Sequence, residues 1–216
     1  MTERDGSLSE LQRDALTEIV NIGVSRSAAA LRKMVGDHVL LSVPSIEVIT
    51  QSAAALLIGE REGSELVAVR QEFSGAFAGR ALLIFPQSNS LELVRAVVGE
   101  DVSPGDLAEM EQEALAETGN IILNGCLGSM ANMLQKSLSL SLPEVLHGDG
   151  GRLFQLTDRD FSDNLVLFLY INFSIRDRNI RGYIAMLMDL PSLDALKALI
   201  DGFIARVMSD DIGLGD

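Results

Sequence analysis

One cysteine, two histidines and few positive charges set the first limits on what this chain can do. Cys126 has no partner for an internal disulfide and lies among apolar neighbours, so a small buried hydrophobe is expected there. His38 and His147 fall at strand-like edges without a partner pattern, which leaves no thiol–imidazole pair and no metal-ligand spacing. A net charge of -14 disfavours nucleic-acid binding through phosphates and docking on an anionic membrane. It would also repel small free phosphorylated metabolites, so phosphoryl chemistry here calls for a substrate that brings its own cation. Long apolar runs are missing too. The longest, Ala53 to Ile58 and Leu165 to Ile171, are too short to cross a bilayer, so no membrane insertion is expected. Met1 to Asp5 show no basic stretch leading into an apolar run, so a secretory signal is not expected and a cytoplasmic location is.

The residues that are present alternate between helix-like and strand-like patterns. Ser7-Leu8-Ser9-Glu10 has the spacing of a capping box, and Leu8, Leu11, Ala15, Ile19 and Ile22 then recur at helical spacing. The helix is expected to run on to a stop at Gly36. Strand-like runs follow over 38–50, 65–73 and 76–85, the first containing Pro44, and an amphipathic helix over 88–99. The order then starts again. Asp106 and Glu109 repeat the capping box, and Leu107, Met110, Ala114 and Ile121 repeat the buried stripe. Strand-like runs over 138–146, 153–156, 164–173 and 179–190 and a closing helix over 193–208 complete the chain, with an acidic, frayed tail over 209–216.

Aligning Pro44 with Pro143 also aligns Asp14 with Glu113, Glu18 with Glu117 and Asn21 with Asn120. The sequence therefore predicts one domain built from two internal repeats, about 7–100 and 106–208. The expected class is α+β, with an antiparallel six-stranded sheet. Two long motif-bearing helices pack across it, and a shorter helix follows each half.

On those long helices Glu10, Asp14, Glu18, Asn21 and Ser25 form one polar stripe, and Glu109, Glu113, Glu117, Asn120 and Asn124 form a second. A solvated helix face explains most of them, and acidic residues suit first turns because they complement the helix dipole. The asparagines fit that explanation less well. Asn in a helix interior costs about half a kcal/mol relative to better helix formers. Glu, Asn and Pro at fixed offsets arise by chance about once in 10^4 starting positions. Common ancestry of the halves would account for the coincidence without function; chemistry is the other account. A carboxamide both donates and accepts hydrogen bonds without changing charge, so it can orient an attacking water as a glutamine does in some GTPases. Glu18 and Glu117, one turn away, could pair with a basic residue of a partner. A general-base role is weaker, since nothing in the pattern would desolvate them. Neither a nucleophile nor a magnesium site accompanies the pair, so the rest of the active site has to come from a second protein. Pro44 and Pro143 read as edge, start or bulge residues, and Met34, Met130 and Met133 as packing residues.

At these positions the chain resembles the CheC-type phosphatases of bacterial chemotaxis, a family that includes CheX and the phosphatase part of FliY. Their signature is Asp or Ser, three residues, Glu, two residues, Asn, twenty-two residues and Pro. Asp14, Glu18, Asn21 and Pro44 meet it fully. Glu117, Asn120 and Pro143 meet it with Glu113 in place of Asp or Ser. The resemblance implies hydrolysis of the aspartyl phosphate of a response regulator such as phosphorylated CheY. Asn21 and Asn120 would position the water, Glu18 and Glu117 would engage the regulator's lysine, and Asp14 and Glu113 would contact the partner. The chain would need no cofactor of its own, because the regulator would carry the Mg2+. The CheD deamidase is a second partner that the resemblance allows. The rival reading is a binding module for a regulator or for CheD, without catalysis, related to flagellar switch proteins.

Overall fold

The structure, a computed structural model, describes residues 7–99, 103–156, 165–175 and 178–212. Helix α1 (Glu10–Val35) begins at Ser9: the Gln12 amide donates to the Ser9 hydroxyl and the Ser9 amide to the Gln12 side chain. The capping box is thus Ser9 with Gln12, two residues beyond the expected Ser7 and Glu10, because Leu8 must be buried before the helix starts. The inward stripe shifts accordingly. Leu16, Ile19, Val20 and Val24 are buried, whereas Leu11, expected inside, is exposed. The second long helix is α4 (Pro104–Met133). Pro104 takes its first position, where the missing N–H costs nothing, so Asp106 lies within the helix instead of capping it. The side chains of Asp106 and Glu109 lie outside the described residues, and Met110, expected inside, is exposed.

Between and after these helices come β1 (Val39–Thr50), α2 (Gln51–Glu62), β2 (Leu66–Gly75), β3 (Gly79–Pro86) and α3 (Gln87–Val98). After α4 the chain forms β4 (Leu138–Leu140), β5 (Glu144–Gly148), α5 (Gly150–Leu153), β6 (Leu165–Ile175), β7 (Arg178–Met188) and α6 (Leu190–Ile212). All strand pairs are antiparallel, in the order β1-β6-β7-β3-β2-β4, with β5 also paired to β2. The sheet therefore has seven strands, not the six expected. The run over 138–146 breaks at Ser141-Leu142-Pro143, so β4 and β5 pair with successive parts of β2. A proline lacks the N–H that a continuous ladder would need, and an edge position tolerates the gap. Pro44 falls in the corresponding irregularity of the other edge strand, where the β1/β6 register shifts between Ser42 and Ser45.

Three other expectations change. Residues 153–156 do not form a strand, because the Asp149 side chain accepts from the Arg152 amide and caps a single helical turn. Helix α2 was not expected; its continuous apolar run hides the helical period, and Thr50 caps it by accepting from the Ala53 amide. Helix α6 continues past Met208 to Ile212, and 213–216 lie outside the described residues.

Alternation along the strands separates two apolar layers. Val67, Val69, Phe73, Leu83, Phe85, Leu169 and Phe173 share a core with α1, α3, α4 and α6. Ala68, Leu82, Ile84, Phe168, Tyr183 and Ala185 pack with α2 and α5 on the opposite side. Because both faces are covered, central strands such as β6 read as continuous apolar runs. Helices α1 and α4 pack against each other on the first face at a glycine contact. A Cβ on Gly23 would lie 2.6 Å from the Gly125 carbonyl oxygen, and one on Gly125 would lie 1.9 Å from Ser27 Oγ. The helices can come this close only because both positions lack a side chain.

Candidate functional site

The first Glu-x-x-Asn is on α1 beside the edge strand β1. Val43 lies in the register shift of β1, outside the ladder to β6, so its backbone groups need another partner. Asn21 supplies it. Its Nδ2 donates to the Val43 carbonyl at 3.0 Å, and its Oδ1 accepts from the Val43 amide at 2.9 Å. One N–H and one lone pair of the carboxamide remain. Asn21 is half-buried, while Glu18 and Asp14, one and two turns back on α1, are exposed.

The second Glu-x-x-Asn is on α4 over β2, near the other edge of the sheet. Gly119 allows the close approach: a Cβ there would meet the Val69 side chain at 2.5 Å. With the helix this low, Asn120 reaches Gln71 of β2. Gln71 Nε2 donates to Asn120 Oδ1 at 3.2 Å and to the Ser141 carbonyl at 2.9 Å. Asn124, one turn on, also donates to Asn120 Oδ1, at 2.7 Å. Both lone pairs of that oxygen are thereby used, and among the described residues neither N–H of Asn120 has a partner. Glu113 and Glu117 are exposed on the same stripe. The Asn120 side chain thus presents a fixed pair of donors one turn from a solvated carboxylate.

Among the described residues, none of Asp14, Glu18, Glu113 and Glu117 forms an ion pair, whereas Arg70 pairs with Glu144. No group of three or more His, Cys, Asp or Glu is placed among them to hold a metal ion. Burial pushes the Cys126 thiol up to about 12, which keeps it protonated and inert within the core. No described helix is long and apolar enough to cross a membrane.

Gln71, on β2, belongs to neither Glu-x-x-Asn motif and was not expected at the site. It is 1 % exposed, on the helix-facing side of β2 in line with Val67, Val69 and Phe73. A polar residue in the inward phase of an alternating strand was the available signal. Its partner is 49 positions away in sequence, and only the packing of α4 on β2 brings the two together.

Comparison with known proteins shows what this chain is similar to. The model of a family described as chemotaxis phosphatase CheX matches residues 67–161, a span that holds Gln71, Glu117, Asn120 and Pro143. The flagellar motor switch phosphatase FliY of Bacillus subtilis is 31 % identical over 140 residues, which are 64 % of this chain and 36 % of that protein. The CheY-P phosphatase CheC of Bacillus subtilis is 27 % identical over 141 residues, 64 % of this chain and 67 % of CheC. The match thus spans about a third of the FliY relative. In fold, Thermotoga maritima FliY aligns with a TM-score of 0.70 at 16 % identity, covering 91 % of this chain and 98 % of that one. The FliM middle domain from H. pylori aligns at 0.60 and 9 % identity, covering 89 % and 99 %. The chain is similar in sequence to the CheC, CheX and FliY group of chemotaxis phosphatases, and its mixed α+β fold with an antiparallel sheet is FliY-like.

Proposed function

We propose that this chain is a phosphatase that hydrolyses the aspartyl phosphate of a CheY-type response regulator. The observation that carries this reading is the second half-site, where an oriented Asn120 amide with two uncommitted N–H groups stands one turn from the exposed Glu117. Phosphoryl transfer concentrates negative charge on the phosphoryl oxygens and needs an aligned nucleophile. Two N–H donors of one amide suit both needs, one holding the attacking water and one facing a phosphoryl oxygen. Glu117 engages the regulator's lysine and sets the docking register, with Glu113 at the border of the contact. At the first half-site Glu18 and Asp14 meet the regulator as Glu117 and Glu113 do, and Asn21 holds the water with the one N–H and one lone pair that its bonds to Val43 leave. The regulator brings the phosphoaspartate and its own Mg2+. The names of the FliY and CheC relatives support the activity, since both are phosphatases and CheC is described as acting on CheY-P.

We also infer that the halves are copies. Strands β1, β6 and β7 on one side of the sheet would correspond to the β4/β5 edge, β2 and β3 on the other, each side carrying one long helix. A docking role without turnover has one observation in its favour at the first half-site: Asn21 already spends a donor and an acceptor on Val43. CheD is a further partner proposed on resemblance alone, and the chain is taken as cytoplasmic.

The test is phosphate release from a phosphorylated CheY-type regulator by the wild type, Asn21→Ala, Asn120→Ala and the double variant. Each single variant should retain some activity and the double variant should lose nearly all of it. Full activity in a folded double variant would sink the mechanism.

A further inference from the structure

We infer that Gln71 is a positioning residue that sets the orientation of the Asn120 carboxamide, and that the two half-sites are chemically unequal because only one has it. The inference rests on the phosphatase reading for its kinetic consequence but on hydrogen bonding for its origin.

The strand registers make the comparison direct. Phe73 of β2 pairs with Leu140 of the β4/β5 edge, and Phe173 of β6 pairs with Leu41 of the β1 edge. Two residues back from each phenylalanine, on the same helix-facing side, are Gln71 and Ile171. Ile171 is buried in the apolar core that the sheet shares with α1, and its side chain offers no hydrogen bond. Asn21 accordingly takes both backbone groups of Val43 and keeps one donor and one acceptor for a ligand. Gln71 is equally buried, and its Nε2 bridges Asn120 Oδ1 and the Ser141 carbonyl. Turning the Asn120 amide over would set its N–H groups against those of Gln71 and Asn124, so one orientation is fixed. That orientation commits the oxygen and leaves both N–H groups for a ligand. By the same alignment Asn124 and Gly119 correspond to Ser25 and Val20, and among the described residues Asn21 has its side-chain hydrogen bonds with Val43 alone.

Gln71 carries a cost at this position. Gln71 Oε1 is buried and accepts no hydrogen bond among the described residues. A buried acceptor without a partner destabilises a fold, and Ile171 shows that an apolar side chain occupies the corresponding slot in the other half. The polar side chain is accounted for by what its Nε2 holds, the Asn120 carboxamide together with the Ser141 carbonyl.

The experiment uses Gln71→Met, which keeps length and volume but removes both donated hydrogen bonds. In the Asn21→Ala background, where turnover depends on Asn120, Gln71→Met should lower kcat about tenfold. KM should stay unchanged, because Glu113 and Glu117 still dock the regulator. Combined with Asn120→Ala, Gln71→Met should cost nothing beyond Asn120→Ala itself, whereas with Asn21 removed it should take away most of the turnover that remains. An unchanged kcat, or a loss that multiplies with Asn120→Ala, overturns the inference while leaving the phosphatase reading intact. A second readout needs no substrate. In the free 15N-labelled protein, Gln71→Met should shift the side-chain NH2 resonances of Asn120 and leave those of Asn21 in place, and Asn120 resonances that do not move would equally overturn it. If the wild type releases no phosphate at all, the phosphatase reading falls and the amide spectrum alone decides whether Gln71 holds Asn120.

Discussion

Asn21 and Asn120 each stand three residues after a glutamate on a long helix against the same face of one sheet, but their carboxamides have different commitments. Asn21 spends a donor and an acceptor on the Val43 backbone, whereas Asn120 spends only its oxygen, on Gln71 and Asn124. The difference follows from how each edge of the sheet handles its proline. Around Pro44 the edge strand stays in one piece with a register shift, leaving two backbone groups that Asn21 satisfies. Around Pro143 the edge divides into β4 and β5, and Ser141 is held instead by Gln71 and by Glu72, whose amide donates to its hydroxyl at 2.9 Å. A repeated motif therefore specifies where an asparagine stands. Which of its atoms faces solvent depends on the strand beneath it.

The largest expected effect separates the two asparagines. Asn120→Ala should lower phosphate release by about a hundredfold, the scale seen when one positioned donor is removed, and Asn21→Ala by less than tenfold. Equal losses would mean that the Val43 bond opens freely during turnover. Next comes Gly119→Ala. Its Cβ would overlap Val69, so a destabilisation of about 1–3 kcal/mol is expected by denaturant titration, together with a loss of activity from the second half-site. Val69→Ala should restore both in part, and failure to do so would place the strain elsewhere. Charge reversal should act on association. Glu117→Lys and Glu18→Lys should each weaken regulator binding by roughly tenfold in a titration, with the greater effect on the on-rate. Unchanged affinity in both would remove the docking role. The smallest effects belong to the prolines: Pro44→Ala and Pro143→Ala should each cost about 0.4–1 kcal/mol through the entropy of the unfolded chain, and alike in the two halves. A much larger cost at Pro143 alone would show that the break between β4 and β5 is itself needed to seat Asn120.

Much of the architecture was legible because its periods are strong. Both long helices, the β2–β3 and β6–β7 pairs and the closing helix follow from 3.6- and 2-residue repeats bounded by turn residues. Helix α2 escaped because its apolar residues are contiguous, and the turn at α5 passed for a strand because a single Asp149 cap outweighs four residues of β-like composition. At the candidate site, Glu18, Asn21, Glu117 and Asn120 were visible through spacing within one helix. Gln71 was not, because a contact across 49 residues leaves no local pattern.

By itself the sequence determined the two Glu-x-x-Asn stripes, the prolines at fixed distance behind them, and an excess of acidic charge suited to a partner that carries its own cation. These are properties of neighbours along the chain, and helical periodicity is enough to express them. Only the tertiary structure decided that Asn21 bonds the backbone of an edge strand while Asn120 rests on a buried glutamine. Those contacts depend on the distance between helix and sheet, which is set by residues far apart in sequence: Gly119 against Val69 for α4, and Gly23 against Gly125 where the two long helices meet.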